Sequence, residues 1–150
     1  MNILYRPAVP DDTLACIELR GRTRENAFSK DELAAIGVTA ESWRAGIESG
    51  AVPGYIALSD GMLAGYCFGD RDTGEIVVLA ILPEFEGAGL GKALLRLVME
   101  DFRRNGFQKL FLGCSTDPAV RSFGFYRHLG WKPTGELDAA GDEILVYWLD

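Results

Sequence analysis

The stretch Glu86-Gly87-Ala88-Gly89-Leu90-Gly91-Lys92 joins an apolar run, Ile76 to Leu82, to an amphipathic run that closes near Asn105-Gly106. Strand, glycine-rich turn and helix in that order form a seat for a phosphate group. Glycines lack Cβ, so the backbone can turn sharply and approach an anion closely. The first amides of a helix have no intrahelical acceptor, and the helix dipole favours negative charge there. A pyrophosphate-bearing ligand is the expectation that follows.

Two nucleotide motifs share this outline and differ in residue identity. A dinucleotide-binding turn needs the spacing GxGxxG near the first strand of a βαβ unit, whereas the glycines here are Gly87, Gly89 and Gly91. A P-loop needs GxxxxGK followed by Ser or Thr. Here Gly91-Lys92 is followed by Ala93, and Glu86 stands where the first glycine should be. A purely structural turn between strand and helix is the remaining alternative.

The chain has 150 residues, a length expected to form one domain spanning residues 1–150. Hydrophobic residues make up 48% and charged residues 25%, which suits a globular protein with a sizeable core. The net charge of −7 argues against general nucleic-acid binding. No apolar run approaches the roughly 20 residues of a membrane span, so no membrane association is expected. The opening residues lack a long apolar core of the kind found in signal peptides. Cys16, Cys67 and Cys114 are odd in number and lie in apolar surroundings, which fits a reduced, cytoplasmic setting better than a disulfide framework. The segment 133–150 carries Glu136, Asp138, Asp142, Glu143 and Asp150 with no Lys or Arg, an acidic face open to solvent or to a cationic substrate.

Ile3 to Pro7 reads as a short strand. Asp11 or Asp12 can cap a helix that runs to about Asn26, with a link containing a short helical piece after it. Glu41 to Ser49 is a helix stopped by Gly50 and Pro53. Tyr55–Leu58 and Met62–Phe68 flank Asp60-Gly61, a strong hairpin signal. The strand Glu75–Leu82 is apolar at both parities after Glu75, so both faces are expected to be covered and the strand central. The following helix directs Leu90, Leu94, Leu97, Val98 and Phe102 to the core. Lys109 to Cys114 is another strand. Asp117-Pro118 reads as a cap with proline at the first position of a helix that ends at Leu129-Gly130. Trp131–Leu137 and Glu143–Leu149 complete the set as strands.

Two signatures carry a resemblance. Glu86-Gly87-Ala88-Gly89-Leu90-Gly91, preceded by Leu79-Ala80-Ile81-Leu82-Pro83-Glu84-Phe85, resembles the cofactor signature Gln/Arg-x-x-Gly-x-Gly/Ala of the GNAT superfamily of N-acetyltransferases. Tyr126-Arg127-His128-Leu129-Gly130-Trp131 is similar to that family's second signature, Tyr-x-x-x-Gly-Phe/Trp. The order of elements agrees along the whole chain. The resemblance implies an α/β (α+β) fold with a mixed, mostly antiparallel, seven-stranded splayed sheet flanked by helices. It implies acetyl-coenzyme A as cosubstrate, no metal, and an amine acceptor that is a small molecule or a peptide. Dimers are frequent in the family, so a homodimer belongs with these expectations. The chain departs at two positions. Glu86 stands where the signature has Gln or Arg, and binding by backbone amides survives an acid there if its side chain points away. Ala119 stands where the family often has Asn, seven residues before the tyrosine.

Roles follow from the same resemblance. Glu86, Gly87, Ala88, Gly89, Leu90, Gly91 and Lys92 would surround the pyrophosphate. The backbone of Leu79, Ala80 and Ile81 would pair with the pantetheine arm as an added strand does. Tyr126 would protonate the leaving thiolate, and Glu75 would take the amine proton, usually through water. On its own Tyr126 could equally be a core aromatic beside Phe123 and Phe125, and Glu75 a solvent-facing acid after a turn. His128 lies about 200° around a helix from Tyr126 and so faces largely away. The acceptor wall is expected between Arg20 and Trp43, with Tyr66 and Phe68 as further apolar candidates. No activated nucleophile is evident, so acetyl transfer is expected to be direct, in a ternary complex. A non-catalytic acyl-coenzyme A sensor on the same fold is the competing reading.

Overall fold

The computed structural model describes residues 2–23 and 27–149. Its strands are β1 (Ile3–Pro7), β2 (Gly54–Ser59), β3 (Met62–Asp70), β4 (Glu75–Ile81), β5 (Lys109–Cys114), β6 (Lys132–Leu137) and β7 (Glu143–Trp148). They form one seven-stranded sheet in the order β1-β2-β3-β4-β5-β7-β6. Every neighbouring pair is antiparallel except β4 and β5, which run parallel. The β2–β3 hairpin turns through Asp60 and Gly61, both at positive φ, as a two-residue turn requires for its twist to match the strands.

The helices are α1 (Thr13–Arg20), α2 (Lys30–Ala35), α3 (Ala40–Ser49), α4 (Leu90–Arg104) and α5 (Arg121–His128). Helix α4 covers one face of the sheet. Its Leu90, Leu94, Leu95, Val98 and Phe102 are buried against Ala57, Cys67 and Ile76. Burying a leucine or phenylalanine side chain contributes roughly 1.5–3 kcal/mol, so this stripe is the main anchor of that layer. Leu95 is buried and Leu97 only half-buried, because the stripe is tilted relative to the expected one. The opposite face is covered by α1 and α3, whose Ile17, Leu19 and Trp43 pack on Ile56, Tyr66 and Phe68.

Three local expectations are corrected. The first helix ends at Arg20, not near Asn26: Gly21 and Arg22 donate to the carbonyls of Glu18 and Leu19 and close a turn, and Asn26 itself lies outside the described residues. Asp12 does not cap that helix by its side chain. It accepts from the Val9 amide at 2.8 Å and forms two bonds of 2.9 Å with the Arg6 guanidinium, which ties the end of β1 to the short helical turn before α1. Asp117-Pro118 precedes a turn and not a helix. The Asp117 carboxylate accepts from the Ala119 amide at 2.9 Å, and α5 starts only at Arg121. At Asp12 and at Asp117 a short polar side chain satisfies a nearby backbone amide in a turn, a competition that sequence spacing does not resolve.

Strand β4 is the central strand, but its faces are not both covered. Among the described residues its register with β5 is the single pair Glu75–Phe111, after which the two strands diverge. Val77 is consequently 53% exposed in the middle of the sheet.

Candidate active site

The divergence of β4 and β5 opens a cleft of about 530 Å³. One wall is β4 from Ile76 to Ile81 with the glycine turn and the start of α4; the other is the end of β5 and the side of α5 that carries Arg121, Ser122, Phe125 and Tyr126. Arg20, Thr23, Phe28 and Asp142 line it as well.

The glycine turn has the geometry of an anion seat. Gly87 and Gly89 sit at φ 79° and 85°, a region that costs a residue bearing Cβ about 1–2 kcal/mol. Gly89 is the residue before α4, and the Ala93 amide bonds to its carbonyl at 3.1 Å. The amides of Leu90, Gly91 and Lys92 thus precede the first intrahelical bond. A Cβ at Gly87 or Gly89 would meet nothing within 4 Å, so these glycines serve the turn and leave the seat open. Backbone donors at the positive end of a fifteen-residue helix, with Lys92 beside them, are a donor set that suits a pyrophosphate.

Glu86 turns its carboxylate sideways. Its Oε1 lies 3.5 Å from Nη1 of Arg121, the first residue of α5. Arg121 was not singled out by the sequence, because nothing local links positions 86 and 121. Leu79, Ala80 and Ile81 pair on one side with Cys67, Tyr66 and Gly65 of β3. Their other backbone edge faces the cleft, since β5 has moved away.

Tyr126 lines the cleft with its ring held in the core. It is 9% exposed, and its ring stands edge-on to Phe125 at 5.0 Å and to Trp131 at 6.0 Å. Burial pushes the phenol pKa well up from its ordinary value, with the neighbouring Cys67 and Cys114 adding to the shift, so the phenol keeps its proton across the neutral range.

Glu75 does not line this cleft. It stands where β4 and β5 still pair, half-buried, at the closed end of the divergence. Burial raises its pKa, and the charges of Asp70 and Asp138 raise it further. Asp142 does line the cleft, and burial together with Asp138 raises its pKa too. Asp138 acts on both acids, and its Oδ2 is 2.6 Å from where a Cβ of Gly113 would stand, so a glycine in β5 makes room for it. Of the acidic stretch noted in the sequence, Asp142 lines the cleft.

Other candidates separate cleanly. Trp43, Tyr66 and Phe68 form a cluster of edge-on rings with centroids 5.3–5.6 Å apart, inside the core beneath α3, and do not line the cleft. Arg20 does reach it, with its guanidinium 4.9 Å above the Phe28 ring. His128 is exposed and does not line the cleft. Cys114 lines the cleft, but its thiol donates to the Ser122 carbonyl at 3.4 Å, and burial raises its pKa. Ala119 is exposed and outside the cleft.

A seven-stranded sheet split between parallel central strands, with a glycine turn at the head of the following helix, is the acetyltransferase fold of the GNAT type. The sequence model of the acetyltransferase (GNAT) family matches residues 14–131, and the chain belongs to that family. It is 37% identical over 71 residues to a mycothiol acetyltransferase of Saccharomonospora viridis, covering 47% of this chain and 22% of that protein. It is 33% identical over 98 residues, 60% of this chain and 63% of the other, to a Bacillus subtilis protein provisionally named a ribosomal protein bS18-alanine N-acetyltransferase. The chain thus spans less than two thirds of the length of these relatives. Among solved structures, the PaiA N-acetyltransferase of Thermoplasma acidophilum in complex with coenzyme A superposes with a TM-score of 0.82 at 21% identity, covering 99% of this chain and 100% of that one. No helix among the described residues is long and apolar enough to cross a membrane.

Proposed function

We propose that this chain transfers the acetyl group of acetyl-coenzyme A to an amine. The observation that carries this is the meeting of two features in one cleft: the open anion seat at the head of α4 and the protonated Tyr126 on α5. The names of the relatives point the same way, and so does the coenzyme A held by the Thermoplasma enzyme of the same fold.

Bound acetyl-coenzyme A supplies an activated acetyl group as a thioester. The amides of Ala88 to Lys92 bind its pyrophosphate, and the free edge of Leu79–Ile81 aligns the arm that leads to the thioester. An alkyl amine has a pKa near ~10.4 and is almost wholly protonated at pH 7, so freeing it costs roughly 4.6 kcal/mol. Glu75 meets that demand as a base acting through solvent. Its raised pKa brings it nearer the working range than an ordinary carboxylate, and Asp142 on the cleft wall gives the departing ammonium proton negative surroundings. Tyr126 donates a proton to the leaving sulfur.

Transfer is direct. Burial raises the pKa of all three cysteines, Cys16 to about 12, so none offers the thiolate that a covalent route needs. The test is release of coenzyme A from acetyl-coenzyme A over a panel of amines, including aminoglycosides, polyamines, amino acids and peptide amino termini. Turnover with at least one class, lost in Tyr126→Phe, is the expected result. Tight coenzyme A binding with no turnover over the panel would replace the transferase with a sensor.

A further inference from the structure

Glu86 and Arg121 face one another across the mouth of the cleft. Glu86 stands at the head of the glycine turn, on the β4 wall, and Arg121 opens α5 on the β5 wall. Their charged groups are 3.5 Å apart, with the Glu86 side chain 15% exposed and that of Arg121 55% exposed. Phe125 lies one helical turn beyond Arg121, on the same face of α5. Its ring is 3.4 Å from the position of a Cβ on Gly91, so that face of α5 is turned toward the first turn of α4.

We propose that Arg121 is a phosphate-binding residue for the cosubstrate and that Glu86 is the positioning residue that holds it there. The signature position that carries Gln or Arg in similar chains carries an acid here, and the donor comes from α5 instead. A guanidinium presents a planar fork of donors matched to phosphate oxygens. A lone carboxylate at the head of an anion seat would repel the ligand, whereas one paired with Arg121 orients the cation and cancels its own charge. The proposal rests on acetyl-coenzyme A being the cosubstrate.

Titration calorimetry on the whole chain separates the two ideas, with coenzyme A as one probe and pantetheine, which has the same arm without phosphate, as the other. No binding of coenzyme A by the wild type fails the cosubstrate reading itself. Given that binding, Arg121→Ala is expected to weaken coenzyme A about tenfold, the size of a lost charge-assisted hydrogen bond, and to leave pantetheine unchanged. Arg121→Lys should recover part of the loss. Glu86→Gln gives the sharper sign. By charge alone, removing an acid beside phosphates strengthens binding; by positioning, it weakens coenzyme A several-fold. An unchanged affinity in Arg121→Ala, an equal loss for pantetheine, or tighter coenzyme A binding in Glu86→Gln would each overturn the proposal.

Discussion

The amide of Trp131 donates to the carbonyl of Tyr126 at 3.1 Å, and the two rings stand edge-on with centroids 6.0 Å apart. Gly130, at φ 102°, makes the reversal that brings them together. The second signature is thus a clamp: the helix stops, the chain doubles back, and a 2% exposed indole supports the tyrosine from behind. On its other side Trp131 meets Tyr147 of β7 at 5.4 Å, which anchors the clamp to the sheet.

Tyr126→Phe keeps the ring and its packing and removes only the hydroxyl. Steady-state kinetics should show kcat reduced by about 10² or more, the usual range for a lost general acid, with the KM for acetyl-coenzyme A little changed. Equal loss in both parameters, or a drop in Tm, would assign the hydroxyl a structural role.

Trp131→Ala should cost about 3–5 kcal/mol in chemical denaturation, as expected for an aromatic removed from a core. It should also lower kcat in whatever fraction remains folded, since Tyr126 loses its backing. Retained stability would mean that the clamp collapses around the gap.

Glu75→Gln is expected to separate activity from stability. Burial, Asp70 and Asp138 raise the folded pKa of Glu75. Folding therefore favours its protonated form: the stability it contributes is full below the unfolded value of about 4.3 and is lost as the pH rises through the folded pKa. The Gln variant should have the higher Tm at pH 7, and the two curves should converge in acid below about pH 4. Activity should move the other way. The wild-type rise of kcat/KM through the Glu75 ionisation should be missing in the variant, leaving only the amine's own deprotonation limb. An unaltered pH profile would exclude Glu75 as the base.

Gly89→Ala introduces no clash, since nothing lies within 4 Å of the new Cβ, but it places an alanine at φ 85°. The expected loss is about 1–2 kcal/mol of stability, measured by denaturation. Coenzyme A binding should weaken as well, because the methyl group stands at the mouth of the seat; unaltered affinity would mean that the anion approaches from elsewhere.

The parts of this protein written in short stretches of sequence appear where they were expected. The glycine turn, the Asp60-Gly61 hairpin and the helix stop at Gly130 each depend on backbone angles that one or two residues impose. Boundaries set by competing local hydrogen bonds, as at Asp12 and Asp117, were not legible, because spacing alone does not say which backbone group a short acid will satisfy. The apolar character of β4 pointed to a central strand, and β4 is central. It did not by itself show that β5 would leave it, since both strands would read the same in a closed sheet; the splay was expected only through the family resemblance, and among the described residues it follows a single pair.

By itself the sequence determined the glycine turn, the central strand and the helix stop at Gly130, and through its two signatures it pointed to the family; the packing of Trp131 on Tyr126 came from the structure. Only the tertiary structure decided who answers whom across the cleft. Arg121 meets Glu86 from thirty-five residues away, the charge of Asp138 acts on both Glu75 and Asp142, and Trp43, Tyr66 and Phe68 fall inside the core and not on the cleft wall. The reason is physical. Backbone turns and helix ends are settled by neighbours along the chain, whereas ion pairs and clustered acids depend on which elements the sheet order brings together.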